Sequence, residues 1–251
     1  MKMRALALGT LGWAVVIGAW ELAGRSALLG KTLPALSQVL QVFADDPRRA
    51  LLLRSSAATL SSAAAGYTAG VCLGVGVATL AHVMPILRPG LDRTAVLVNA
   101  LPVIALAPVL IITAGREGTP CALAAVPVFF LLYTATGAGL RSAGTRFEML
   151  LTTLGATRWQ RFTKLQAISS VPAILSGMKI GAGSAMIGAI VGEWFGAPSG
   201  LGVVVLNSMQ NFQVSLLWAT VVVIAAITLA SYGLLSLVER GVRARIGECG
   251  G

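Results

Sequence analysis

Charge is what this sequence has least of. Only 11% of its 251 residues are Asp, Glu, Lys or Arg, where a soluble globular chain carries about 25%. A compact soluble fold of this size needs more charge than that to cover its surface. Acid is the scarcer sign, with 9 Asp and Glu against 19 Lys and Arg, for a net charge of +10. There is one histidine, His82, and there are three cysteines, Cys72, Cys121 and Cys249, none at metal-ligand spacing. These shortages argue against a His-rich metal site, a Ser-His-Asp triad and a disulfide framework. No chain of Asp, Glu and His is available for a proton relay, no segment looks like a selectivity filter, and no basic, polar domain suited to nucleic acid is present.

What the sequence has is apolar. Hydrophobic residues make up 56% of it and mean hydropathy is +0.84, which excludes a disordered chain. A spanning helix needs about 20 apolar residues. Six such stretches are visible, at roughly 5–24, 57–81, 94–114, 120–140, 173–197 and 215–238, with longer loops at 25–56 and 141–172. They use up most of the chain, so one membrane domain over 1–251 is expected. Runs such as Trp218–Ile227 do not alternate, against a β-barrel. Lys2 and Arg4 before an apolar run imitate a signal peptide, but the run continues through Trp13 and Trp20 to Gly24 with no clear cleavage site, so a retained helix is expected.

Placing the N-terminus inside puts twelve basic residues in inside segments and six outside, which favours cytoplasmic termini. The 25–56 loop fits this poorly, with five basic residues outside. The source of the basic excess on these grounds is the positive-inside bias and anionic lipid.

Several helices carry further signals. Gly66, Gly70 and Gly74 form one stripe, and Ser184, Gly188, Gly192 and Gly196 another. Small stripes let helix backbones approach closely, either within one subunit, at a dimer seam or between helices that slide. Pro102 and Pro108 kink the third stretch. Such a helix either lines a cavity or is merely bent. By location, Asn99 and Met186 are candidates to line a path, with Asn207 and Asn211 near its outer mouth. Glu193, beside Trp194 near a helix end, is either a functional intramembrane acid or an interfacial cap, and Glu21 is similar. Lys179, one turn from the inner surface, can snorkel. His82, before Met84-Pro85, reads as an interfacial cap.

The 141–172 segment holds five basic residues and one acid. It reads as two short helices around a turn. Thr145-Arg-Phe-Glu148 has a capping-box pattern, Gly155 ends the first helix, and Thr157 caps the second. Trp159, Phe162 and Leu165 fall on one face and Arg158 and Arg161 on another, so the segment either lies on the membrane or docks into a partner's groove.

At this point the sequence resembles a known family. Thr153-Leu-Gly-Ala-Thr-Arg-Trp-Gln-Arg-Phe162, followed by Val171-Pro-Ala-Ile-Leu-Ser-Gly-Met-Lys-Ile180, is similar to the cytoplasmic "EAA" loop of permease subunits of bacterial ABC importers. Ala185–Gly202 and Leu101–Pro108 resemble its nitrate/sulfonate/taurine branch, and the likeness spans roughly 33–240. The resemblance implies an all-α integral membrane fold of six transmembrane helices, with a two-helix cytoplasmic coupling loop between the fourth and fifth. It implies an inner-membrane importer subunit with a substrate path, for which Asn99, Pro102, Pro108 and Met186 are the candidates by location. A second permease subunit (homodimer or heterodimer), two cytoplasmic ATPase subunits and a solute-binding protein would be its partners. ATP and Mg would be bound by the ATPases, with no cofactor or metal on this chain and no catalytic role for it. Coupling would fall to Glu148, Gly155, Ala156, Thr157, Arg158, Trp159 and Arg161. The implied substrate is a small organic anion such as a sulfonate or nitrate, or a pyrimidine-like solute.

This copy departs from the pattern. Met149 stands at the family's Glu, Leu150 and Leu151 at its two alanines, and Ile168 at its first proline, while Pro172 is kept. Glu148 is one residue early, displaced by about 100° around a helix. Coupling then uses Glu148 in a shifted register, relies on Thr157, Arg158 and the aromatics, or is weak beside a better-matched partner permease. Gly24-Arg-Ser-Ala-Leu-Leu-Gly30-Lys-Thr32 imitates a phosphate loop but has five intervening residues where the motif has four. A stand-alone secondary carrier is the alternative, and inverted repeats would mark it, but the two halves do not look alike. A membrane enzyme is disfavoured because no nucleophile–base pair is visible.

Overall fold

The computed structural model describes residues 2–26 and 32–248, and every regular element among them is helical. In chain order these are α1 (Lys2–Arg25), α2 (Leu36–Ala44), α3 (Asp46–Val83), α4 (Arg88–Ala100), α5 (Val103–Arg141), α6 (Thr145–Thr153), α7 (Arg158–Arg161), a π turn (Phe162–Gln166), α8 (Ala167–Glu193), α9 (Leu201–Gln210) and α10 (Val214–Glu248). Cys249, and residues 27–31 of the phosphate-loop imitation, lie outside the described residues.

Among the described residues four helices are long and apolar enough to cross a membrane: Asp46–Val83, Val103–Arg141, Arg158–Glu193 and Val214–Val242. They take in the second, fourth, fifth and sixth apolar stretches, and the first stretch forms α1. The third stretch is not one helix. It divides at Leu101-Pro102, where Leu101 is extended (φ −73°, ψ 128°) and Pro102 becomes the N-cap of α5. A residue before proline is pushed out of the helical region, and proline itself is best placed at a helix start. Gly115 (φ 74°, ψ 172°) then breaks α5 into 103–114 and 116–141.

The 25–56 segment is not a loop. It contains α2 and the first turns of α3. The charges that lowered its hydropathy are used locally, Arg48 with Asp45 (3.0 Å) and Arg49 with Asp46 (2.6 Å). Val39 and Val42 of α2 bury against Leu52, Leu201, Val204, Leu216 and Ala219.

The centre of the molecule is the 116–141 half of α5, gripped by α3 on one side and α8 on the other. Both glycine stripes face it. A Cβ at Gly66 would collide with the Cys121 carbonyl oxygen, at Gly70 it would lie 2.7 Å from the Ala125 oxygen, and at Gly74 2.7 Å from the Phe129 oxygen. On α8, a Cβ at Gly188 would strike the Leu123 carbonyl, and one at Gly192 would sit 2.5 Å from Pro120 Cα. The stripes are therefore close-packing seams within one chain. Gly196 lies past the end of α8, against the Arg116 side chain. The pairings also give direction. Residues 66 to 74 meet 121 to 132 in ascending order, so α3 runs parallel to 116–141, while Gly192, Gly188 and Gly177 meet Pro120, Leu123 and Ala135, so α8 runs antiparallel. Ala63, Ala124, Val128, Leu132, Ala185, Met186 and Ala189 fill the middle.

The bundle thus has a Glu193 end and a His82 end. At the Glu193 end the N-cap of α9 is Gly200 (φ 140°), which has no side chain to offer. The first amides of α9 are satisfied from other helices: Leu201 N–H donates to Thr59 Oγ1 and Gly202 N–H to Glu193 Oε2, both at 2.7 Å. Glu193 is 1% exposed. A carboxylate at a helix N-terminus meets both the free donors and the positive end of the dipole. Glu193 is accordingly an internal cap that ties α8 to α9. Glu21 does the same for α2, accepting from Ser37 N–H (3.0 Å) and Ser37 Oγ (2.9 Å). Toward the His82 end, Lys179 of α8 pairs with Glu239 of α10 at 2.6 Å and lies over the Tyr232 ring.

Gly188→Ala is expected to destabilise the protein by about 1–3 kcal/mol through overpacking. Gly76→Ala, where an added Cβ meets open space, should be neutral or stabilising by up to about 1 kcal/mol from helix propensity. Thermal unfolding in one detergent compares them. By the same measurement Glu193→Ala should cost about 1–3 kcal/mol, because it strips a buried donor of a charged partner.

Candidate functional site

The segment between α5 and α8 folds as two short helices and a turn. The N-cap of α6 is Gly144, one residue before the Thr145 at which the sequence placed the start, and it makes no side-chain cap bond. The start of α6 is set by backbone instead, with Glu148 N–H bonded to the Gly144 oxygen at 3.2 Å. Its end is a Schellman turn: Ala156 N–H reaches the Leu151 oxygen (2.9 Å) and Gly155 N–H the Thr152 oxygen (3.0 Å). Gly155 has φ 76°, the left-handed conformation this turn requires, and a Cβ there would touch nothing. Its glycine is therefore demanded by backbone conformation alone.

Thr157 caps α7 with a complete capping box: Gln160 N–H donates to Thr157 Oγ1 (3.2 Å) and Thr157 N–H to Gln160 Oε1 (2.8 Å). Arg161 reaches back to Thr152 Oγ1 at 3.1 Å and joins α7 to α6. Trp159 stacks on Phe162 at 5.5 Å between centroids. Trp159, Arg158, Leu154, Phe147, Met149 and Leu150 are all exposed, and Ala156 is half-buried. The loop therefore presents a fixed, largely apolar and basic surface. Met149 and Leu150, where the resemblance would place Glu and Ala, add to its apolar part.

Glu148 does not share that surface. Its Oε1 accepts from Gln166 Nε2 at 2.5 Å. The Gln166 oxygen in turn meets His82 Nε2 at 2.8 Å. His82 stands in the last turn of α3. It reaches across to the loop, and its ring also lies 6.2 Å from that of Phe162. A cleft of about 370 Å³ beside this contact is lined by Val83, Pro85, Arg158, Trp159 and Arg161, among others.

The path candidates separate. Asn99, Pro102 and Pro108 lie exposed along α4 and the start of α5, beside exposed Leu97, Leu101, Ile104 and Ile112. Met186 is not with them. It is 3% exposed, in the central core, and borders an apolar cavity of about 190 Å³ between α3, α8 and α10. The α8 residues that face Val103 and Ile104 are Ser184, Ile187 and Val191, around a cavity of about 230 Å³. Helical periodicity turns Ile187 about 100° from Met186, so Met186 and these three residues look out on different sides of α8. Asn207 and Asn211 are exposed at the end of α9, where Asn211 Nδ2 bonds the Asn207 oxygen at 2.8 Å. Among the described residues no three His, Cys, Asp or Glu side chains gather as a metal site.

Comparison with known proteins fits this arrangement. The family described as binding-protein-dependent transport system inner membrane component matches residues 70–244. The formylaminopyrimidine transport permease protein ThiX of Halalkalibacterium halodurans is 28% identical over 231 residues, covering 92% of each chain. The putative aliphatic sulfonates transport permease protein SsuC of Bacillus subtilis is 25% identical over 234 residues, covering 92% of this chain and 85% of that one. The fold is shared with a chain of the MetNI methionine ABC transporter in an inward facing conformation, at a TM-score of 0.71 and 17% identity, covering 79% of this chain and 99% of that one. The chain therefore belongs to the binding-protein-dependent transport system inner membrane components, the permeases of ABC transporters, and is an integral membrane protein.

Proposed function

We propose that this chain is the membrane-spanning subunit of an ATP-driven importer, that it forms the substrate path with a second permease subunit, and that segment 145–166 couples the path to two separate cytoplasmic ATPases. The observation that carries this reading is the build of that segment. A short helix closed by a Schellman turn and another opened by a full capping box hold exposed Leu154, Arg158 and Trp159 in fixed relation. A rigid apolar and basic knob on a membrane protein suits a groove in a partner. Thr157 and Gly155 shape the knob, Arg161 braces it, and Leu154, Arg158 and Trp159 make the contact.

The basic residues support a cytoplasmic place for the knob. Arg88, Arg141, Arg158 and Arg161 line cavities at the His82 end, and inside loops carry the positive bias. Both termini would then be cytoplasmic. A solute-binding protein on the opposite side would deliver substrate to the exposed face around Asn99, Pro102 and Pro108. The relatives named for formylaminopyrimidine and for aliphatic sulfonates support a small organic anion or a pyrimidine-like solute as that substrate. ATP and Mg are assigned to the ATPases.

Two measurements test this. In a cysteine-free background, Met209→Cys should react with a membrane-impermeant maleimide on intact cells, and Leu154→Cys only after permeabilisation. The reverse pattern would invert the assigned topology. Gly155→Val and Arg158→Glu should each weaken capture of the partner ATPase by about tenfold or more, roughly 1.4 kcal/mol, while Met209→Ala should not. Equal capture by all three, or solute flux through the purified chain alone in liposomes, would defeat the assignment.

A further inference from the structure

His82 and Glu148 make contacts that their places in the sequence did not suggest, and they meet through one residue. Gln166 ends the π turn, at 84 residues from His82 and 18 from Glu148. A π turn inserts one residue into the helical ladder and rotates the rest of the helix by about 100°, and such turns recur at functional sites. The polarity of the chain of bonds is set at its acidic end. A carboxylate only accepts, so the Gln166 amide nitrogen faces Glu148 (2.5 Å) and its oxygen faces His82 (2.8 Å). An amide oxygen also only accepts, so His82 Nε2 is the donor in that bond. The two bonds thus run in one direction, from His82 through Gln166 to Glu148.

The line connects parts that are otherwise apart. Segment 145–166 runs covalently into α8. Beside α3 it faces the 370 Å³ cleft, which His82 bridges by its bond to Gln166 and its ring contact with Phe162. Glu148 braces α6 against the same glutamine.

We propose that His82, Gln166 and Glu148 form a joint through which α3 follows the loop, so that a push on the loop reaches both helices that grip α5 and not α8 alone. This rests on the loop being the ATPase dock. Glu148 is then a positioning residue inside the permease, in place of a contact to the ATPase. The glycine seams carry the motion onward, because α3 and α8 each touch 116–141 through backbone.

The test is a pair of spin-label distances in the permease–ATPase complex in lipid nanodiscs, with the three native cysteines replaced. Labels at Ile86, 87% exposed, and Leu154, 71% exposed, report the joint. Labels at Leu154 and Met209 report whether the loop moves at all. Between the nucleotide-free state and ATP with vanadate, the Ile86–Leu154 distance should stay constant in the parent chain. In Gln166→Leu and His82→Phe it should change by more than about 2 Å, the scale of helix shifts at interfaces. His82→Gln, which keeps a donor, should behave as the parent. The joint is overturned if Leu154–Met209 moves while the parent's Ile86–Leu154 distance changes as much as that of Gln166→Leu. It is also overturned if Gln166→Leu and His82→Phe both hold the distance. A Leu154–Met209 distance that ignores nucleotide would instead defeat the dock, and the joint with it.

Discussion

Backbone against backbone, where glycine leaves no side chain between, is the contact from which the rest of this molecule is arranged. In a bilayer, lipid tails are as apolar as leucine, so burying leucine gains little and close approach must supply the cohesion. The 116–141 helix is held this way from both sides, by Gly66, Gly70 and Gly74 of α3 and by Gly188 and Gly192 of α8. The seams set the registers, and the registers decide what meets at each end. Thr59 and Glu193 come together over α9 at one end because Gly66 and Gly192 are fixed against Cys121 and Pro120. At the other end His82 faces the π turn.

The second constraint is the short helix in an apolar setting. α2 and α9 have N-caps, Ala35 and Gly200, that make no side-chain bond. Orphan amides are costly where water is scarce. Each helix is therefore capped from a distance by a glutamate on a longer helix, Glu21 for α2 and Glu193 for α9. The few acids of this chain are accordingly spent on structure as well as on solubility. Lys179 and Glu239 follow the same logic between α8 and α10.

How much of this was legible depended on whether a signal was local. Glycine spacing, the Thr157 cap and the stop at Gly155 need only a few neighbouring residues to read, and the structure has them as hydrogen bonds and seams. α2 was missed because nine residues are too few to read as a span, and the first turns of α3 because Arg48, Arg49 and Arg54 lower hydropathy there, where a hydropathy window cannot tell a charged helix from a charged loop. The roles of His82 and Glu148 depend on a partner far along the chain, and a π turn between them left no pattern to find. Met186 was grouped with Asn99, Pro102 and Pro108 but packs in the core on another side of α8, since location along a helix says nothing of azimuth. The 145–166 segment was legible mainly as a family likeness, and its departures from that likeness, Met149 and Leu150, are exposed positions.

The parallel course of α3 and 116–141 has a topological result. Parallel neighbours cannot be joined by a tight turn, as is familiar from parallel strands, which need a crossover. Having reached the His82 end with Val83, the chain must travel the whole depth of the bundle again before 116–141 can start. Residues 88–114 are that return stroke, divided at Pro102 and ended at Gly115. The space beside 116–141 is already taken by the glycine seams, so the return stroke runs outside them and leaves Leu97, Leu101, Ile104 and Ile112 uncovered. This uncovered stretch is thus one that the connectivity of the bundle cannot do without.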